Sequence, residues 1–266
     1  MRKIVVVGDS WTYGSEIKDP ALPNTINDWD AENDSYRIPK IWPTKLGNLL
    51  GTSDVINLSY PAASNDRSVR LLVGWLTQEY LSKNKPTDEL FVVVGLTSPE
   101  RKDFFYIDEK ISNWITIWPM WTHDYMQEPL RRFGRLYAEH FWNIEESTHR
   151  YLQQIFYLQT LFKHYNIKFL FFQAFYQRQD LHIKQWTDDP YSRHYQSQPD
   201  KMIWDLIDDK TFMHKNDKIH SFHNYITKND PDPEKKSVIL NMHPSELGHT
   251  MWAEHMTDYL KENNLW

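Results

Sequence analysis

The chain has no cysteine, so disulfides, thiolate metal sites and a cysteine nucleophile are all excluded. Glycine is scarce, with eight residues in 266, and none of them forms the Gly-x-Gly-x-x-Gly turn of dinucleotide-binding proteins. The Lys-Ser/Thr ending of a phosphate loop is also missing after the first apolar run, which argues against a nucleotide-binding α/β protein. No apolar stretch approaches the ~20 residues needed to span a bilayer. The N-terminal apolar run, Ile4 to Val7, is too short for a signal peptide and lacks a cleavage site. The expectation is a soluble, cytoplasmic protein with no membrane association. Positive charge is short as well. A formal net charge of −6 disfavours a nucleic-acid partner, which would present a basic stripe. The one basic knot, Arg131, Arg132 and Arg135, reads as a solvated helix face. Internal repeats, coiled-coil heptads and low-complexity tracts are absent.

Aromatic residues are abundant by contrast, with twelve Trp, fifteen Tyr and thirteen Phe. Many belong in a core, and those in polar stretches suit a groove for a sugar or another flat ligand. The length allows one sizeable core, read as a single domain over 1–266. Short β-branched or aromatic apolar runs recur at Ile4 to Val7, Val55 to Leu58, Phe91 to Val94 and Ile167 to Phe172. Such runs mark strands buried on both faces. Between the second and third, Val69, Leu72, Val73, Leu76 and Tyr80 repeat at helical spacing, with Ser64 or Asn65 able to cap the start. A second helix is expected over Ile144 to Tyr165, and a last one carries Trp252, Met256, Tyr259 and Leu260 on its inner face. This alternation predicts a three-layer α/β/α, flavodoxin-like fold with a mainly parallel sheet. Residues 16–40 are polar and do not fit the alternation. Residues 174–236 are longer still and are expected to form an inserted cap with short helices, such as Lys201 to Ile207.

In parallel α/β sheets functional residues gather at the carboxyl ends of strands. The first strand runs into Gly8-Asp9-Ser10-Trp11-Thr12-Tyr13-Gly14, a sharp turn that presents small polar residues. A serine there is a nucleophile if a base reaches it. Near the other end stands Asn241-Met242-His243-Pro244. Proline favours the first position of a helix, so His243 is expected to cap the last helix, neutral beside the positive end of its dipole. The spacing of His243, His249 and His255 makes a three-histidine metal site improbable, since on one helix they point apart.

The two blocks together resemble the SGNH hydrolase superfamily, whose members carry a Gly-Asp-Ser block near the N-terminus and a His-Pro block near the C-terminus. The resemblance implies that Ser10 attacks an ester or acetyl carbonyl and that His243 takes its proton, with no cofactor and no metal. Ala62 stands where the family has an oxyanion-binding glycine, and Thr97 where it has an asparagine donor. Asn65 is an alternative donor. The family's imidazole-orienting Asp falls on Leu240, so Asn241, or a backbone carbonyl, is left to orient the ring. Asp9 is read as a brace for its own turn. Trp11, Tyr13, Asn65 and Arg101 are candidates for shaping the substrate pocket. The implied activity is hydrolysis of an ester or O-acetyl group, on a small molecule or a glycan. The competing reading is an inactive relative that binds a glycan or a protein partner.

Overall fold

The computed structural model describes residues 2–107, 112–119, 126–175, 197–216 and 220–266. Four strands form one parallel sheet: β1 (Lys3–Val7), β2 (Val55–Asn57), β3 (Leu90–Leu96) and β6 (Lys168–Gln173), in the order β2-β1-β3-β6. β1 pairs Ile4 with Val55 on one side and Val7 with Val94 on the other. The run Ile4 to Val7 is fully buried, as a strand with both neighbours and both faces covered must be. Beyond β6, Thr211 to Met213 adds a minimal parallel strand. Phe171 N–H donates to the Thr211 carbonyl and Met213 N–H to the Phe171 carbonyl, each at 2.8 Å. These bonds occupy the exposed edge of the sheet.

Helices cover both faces. On one side α4 (Asn65–Glu79) and α6 (Ile144–His164) lay Leu72, Leu76, Leu152 and Ile155 against Val5, Val92 and Phe171. Ser64 caps α4 by accepting from Arg67 N–H, and Asn143 caps α6 by accepting from Glu146 N–H. Glu145 and Glu146 in the first turn of α6, with Lys163 and His164 in its last, complement the helix dipole. On the other side α3 (Trp42–Leu49) and α9 (Glu246–Glu262) bring Trp42, Leu46, Trp252 and Met256 onto Ile4, Val6 and Phe172. The three-layer α/β/α arrangement expected from the alternation is therefore present.

One feature departs from the expectation. An antiparallel hairpin, β4 (Lys102–Ile107) and β5 (Ser112–Ile117), follows β3, and α5 (Glu128–His140) packs Phe133 and Tyr137 edge-on to its Phe104. Arg132 and Arg135 lie on the exposed side of α5, as a solvated basic face requires. The described parts of 174–236 contribute to both helical layers, and Phe175 and His223 from them line the cleft that holds Ser10. α7 (Ser197–Leu206) puts Trp204 into the α4–α6 layer, while α8 (Phe222–Lys228) puts Phe222 and Ile226 into the α3–α9 layer. Residues 176–196, the heart of the expected cap, lie outside the described residues.

Trp252 is fully buried and stacks on Phe222 with ring centroids 4.8 Å apart. Trp252→Ala should lower unfolding stability by about 3–5 kcal/mol through the cavity it leaves. Urea denaturation would show this as a lower midpoint with an unchanged slope.

Candidate functional site

The order of the sheet reverses between β1 and β3, which opens a crevice at their carboxyl ends. Ser10 stands three residues past the end of β1, after Gly8 and Asp9. Asp9 caps the one-turn helix α1 (Ser10–Tyr13) by accepting from Trp11 N–H, so Ser10 occupies its first helical position. The turn closes at Gly14 with φ of +88°, and a β-carbon there would lie 2.2 Å from Ile41 Cγ2. Only glycine meets both demands.

Asp9 is wholly buried and accepts three hydrogen bonds. Besides Trp11 N–H, Thr97 Oγ1 donates at 2.6 Å and Arg101 Nη1 approaches at 3.4 Å. Thr97 follows β3, so Asp9 ties the ends of β1 and β3 together. Its role as a brace is wider than its own turn. The same contact corrects the reading of Thr97 as an oxyanion donor, because its single hydroxyl proton is directed at Asp9. Asn65 is likewise committed. Its amide donates to the Thr97 carbonyl and accepts from Thr97 N–H, each at 3.0 Å.

Ala62 lies in the left-handed region at φ +56°, a conformation that favours glycine. It sits on the wall of the same cleft as Ser10. Among the described residues no group accepts from the backbone N–H of Ser10 or of Ala62.

His243 arrives from the far end of the chain. It does not cap the last helix, since α9 begins at Glu246 with Ser245 as its cap, accepting from Gly248 N–H. His243 sits instead in a tight turn. Leu240 N–H donates to the His243 carbonyl at 2.8 Å, and Ser245 N–H to the Val238 carbonyl at 2.8 Å. The residue facing its ring is Glu16. Nδ1 of His243 and Oε1 of Glu16 are 3.2 Å apart, within ion-pair distance but without the alignment of a linear hydrogen bond. The other oxygen, Oε2, accepts from Asn241 N–H at 3.0 Å and Met242 N–H at 3.1 Å. Burial opposes ionisation of Glu16. The Met242 N–H, the His243 contact and the Asn241 N–H outweigh it and hold the carboxyl below its ordinary range. Asn241 thus meets Glu16 through its backbone, while its side chain is exposed and makes no hydrogen bond to the ring. Nε2 of His243 makes no hydrogen bond among the described residues.

Ser10, Glu16, Ala62, Thr97, Arg101 and His243 all line one cleft of about 860 Å³. Ser10 Oγ makes no hydrogen bond to His243 in this conformation. Trp11 also lines the cleft, with its ring centroid 6.5 Å from that of His243, but is 3% exposed and packs edge-on to Phe175 and Phe222. Tyr13 and Asn65 are not on the cleft wall; Tyr13 lies under the Arg37 guanidinium. The cleft adds Trp29, Trp118 and His223, which sequence reasoning did not single out. Trp29 falls in the polar 16–40 stretch and no local pattern marks it. His249 is fully buried and accepts from Trp42 N–H, and burial pushes its imidazole down to about 3. Among the described residues no group of three His, Cys, Asp or Glu is placed to hold a metal, and no helix is long and apolar enough to cross a membrane.

Fold and site together define an α/β protein with a serine, an imidazole and a carboxylate gathered in the cleft where strand order reverses. The chain belongs to the family of unknown function DUF6071, whose model matches residues 21–220. That span takes in Ala62, Thr97 and Arg101 and leaves Ser10, Glu16 and His243 outside. No curated protein matches the chain significantly. Similar solved structures include TesA, 11% identical over 98% of this chain and 99% of that one, with a TM-score of 0.47. The psychrotrophic esterase EstA from Pseudoalteromonas sp. is 12% identical over 98% of each chain, with a TM-score of 0.47. The acetyl xylan esterase AlAXEase is 13% identical over 96% of this chain and 98% of that one, with a TM-score of 0.41.

Two predictions follow from this geometry. Ala62→Gly should be neutral or stabilising by up to about 1.6 kcal/mol. Relief of ~1–2 kcal/mol of left-handed strain offsets the ~0.4–1 kcal/mol of added unfolded-state entropy. A loss of ~1 kcal/mol, as for an ordinary helical alanine, would contradict the strain. For His249, the folded value of about 3 lies below the unfolded value near ~6.5. Between them the unfolded chain binds the extra proton, so stability falls as pH drops. His249→Gln should therefore lose less stability between pH ~7 and ~4 than the wild type, measured by urea unfolding.

Proposed function

We propose that this protein is an SGNH-type serine hydrolase that cleaves an ester or O-acetyl group. The observation that carries the reading is the convergence of Ser10 and His243, from opposite ends of the chain, on one cleft beside two unclaimed backbone N–H groups. Ser10 Oγ attacks the carbonyl carbon while His243 Nε2 takes its proton. The oxyanion forms against the N–H groups of Ser10 and Ala62, and the Arg101 guanidinium in the cleft wall adds positive potential. Collapse of the tetrahedral intermediate breaks the bond to the alcohol oxygen, which leaves with the proton held by His243. Water then attacks the acyl-serine, with His243 again as base, and the carboxylic acid departs. Ser10 and His243 come into hydrogen-bond contact when substrate is bound, as such contacts often tighten only in the complex.

An O-acetylated glycan is the favoured substrate class. Trp29, 55% exposed, offers a flat apolar face in a cleft that also carries Trp118, Glu16, Asp28 and Glu100. A cleft of this size also suits a small-molecule ester. The second reading, a glycan- or protein-binding relative without catalysis, is favoured by the commitment of the Thr97 hydroxyl to Asp9.

Hydrolysis of p-nitrophenyl acetate separates the two. The wild type should turn over, and Ser10→Ala and His243→Ala should each lose about 10³-fold or more in kcat/KM. A fluorophosphonate should label Ser10. An unlabelled Ser10, with equal background rates in all three proteins, would favour the binding protein.

A further inference from the structure

We propose that Glu16 is the positioning carboxylate of the site: it orients the His243 imidazole and stabilises the imidazolium formed when Ser10 is deprotonated. The proposal rests on the hydrolase reading and adds to it a residue that lies in neither motif block. Three observations carry it.

First, the geometry is that of a two-sided clamp. One oxygen of Glu16 faces His243 Nδ1 at 3.2 Å, and the other takes the N–H groups of the two residues before the histidine. Carboxylate and imidazole are thereby held to the same turn, so the contact between them is braced on both sides of the histidine. A carboxylate on Nδ1 fixes the tautomer that leaves Nε2 as the base.

Second, the backbone at Glu16 is in the left-handed region, at φ +69°, which a glutamate adopts only when its surroundings impose it. The surroundings are a built strap. Glu16 N–H donates to the Asp28 carboxylate. Fully buried Asn33 donates to the carbonyls of Ile17 and Asp28, each at 2.8 Å, and accepts from Asp19 N–H at 2.9 Å. Arg37 reaches back to the Tyr13 carbonyl and covers the Tyr13 ring at 3.8 Å. The polar stretch is thus a cross-linked strap, with short helical turns over residues 31–40, that ties the residues on either side of Glu16 and its partner Asp28 together.

Third, the position three residues before His243 is Leu240, which is 44% exposed and brings no charge to the ring. Asn241 turns its side chain outward. The vacancy beside Nδ1 is filled from the other end of the chain, 225 positions away from Asn241.

The test compares Glu16→Gln with Asn241→Ala in steady-state hydrolysis of p-nitrophenyl acetate. Glutamine keeps an acceptor for the Asn241 and Met242 N–H groups, so the turn survives while the charge is lost. Glu16→Gln should lower kcat by about 10³–10⁴-fold with KM within about threefold. Its thermal unfolding should remain cooperative. By proton NMR, the low-field resonance of a carboxylate-bound His243 Nδ1–H, assigned by its absence in His243→Ala, should be present in the wild type and absent in Glu16→Gln. A merely structural glutamate would leave both the resonance and the kcat of a folded variant intact. A Glu16→Gln enzyme within about threefold of wild type, or an Asn241→Ala enzyme more impaired than it, would overturn the assignment while leaving the Ser10–His243 reading in place. An inert wild type whose Ser10 resists the fluorophosphonate would instead overturn the hydrolase reading, and the role of Glu16 with it.

Discussion

The buried carboxylate of Asp9 is the contact on which the cleft depends. An unpaired ionised group at zero exposure would be severely penalised, so the chain must bring donors to it. It does so from three places: Trp11 N–H of the following turn, the Thr97 hydroxyl at the end of β3, and the Arg101 guanidinium beyond it. Each bond pins one wall of the crevice. The first sets the helical turn that presents Ser10, the second locks β1 to β3 at the point where strand order reverses, and the third draws a cation into the floor. Arg101 is itself held by the Ala63 carbonyl, which fastens the segment carrying Ala62 to the same centre.

Around this fixed centre two segments are brought in as a pair. The strap after α1 and the turn before α9 meet through Glu16, which satisfies two backbone N–H groups and faces His243 with its remaining oxygen. The backbone is left-handed at Glu16 and at Ala62, two residues that share the cleft with Ser10. Backbone strain of this kind persists where the surrounding structure over-determines it.

The rest of the molecule supplies rigidity. Two apolar layers, one built on α4 and α6 and the other on α3 and α9, grip a sheet whose central strands are fully buried. Loops set on such a scaffold can be irregular without being ill-placed, which is how a polar strap with little apolar content can still position a side chain.

The four parallel strands, α4 with its Ser64 cap, and α6 were legible in the sequence, because each is written in a local pattern of burial or capping. Ser10 and His243 were singled out as candidates, as the residues following an apolar run and preceding a proline near the two ends of the chain, and both line the cleft. What the pattern could not tell was how distant segments share partners. His243 was expected to cap the last helix because Pro244 suits a first helical turn, yet Ser245 offers the better cap and the helix starts later. The antiparallel hairpin after β3 escaped notice because its strands are half-exposed and carry a buried Asp103 paired with Arg70, which breaks clean alternation. The commitment of Thr97 to Asp9 and the meeting of Glu16 with His243 are contacts between residues far apart in the chain. Local propensity and periodicity determine which segments become strands and helices. Only the packed tertiary structure decided which carboxylate stands beside the imidazole, because that choice is made by distance in space and by the need of every buried polar group for a partner.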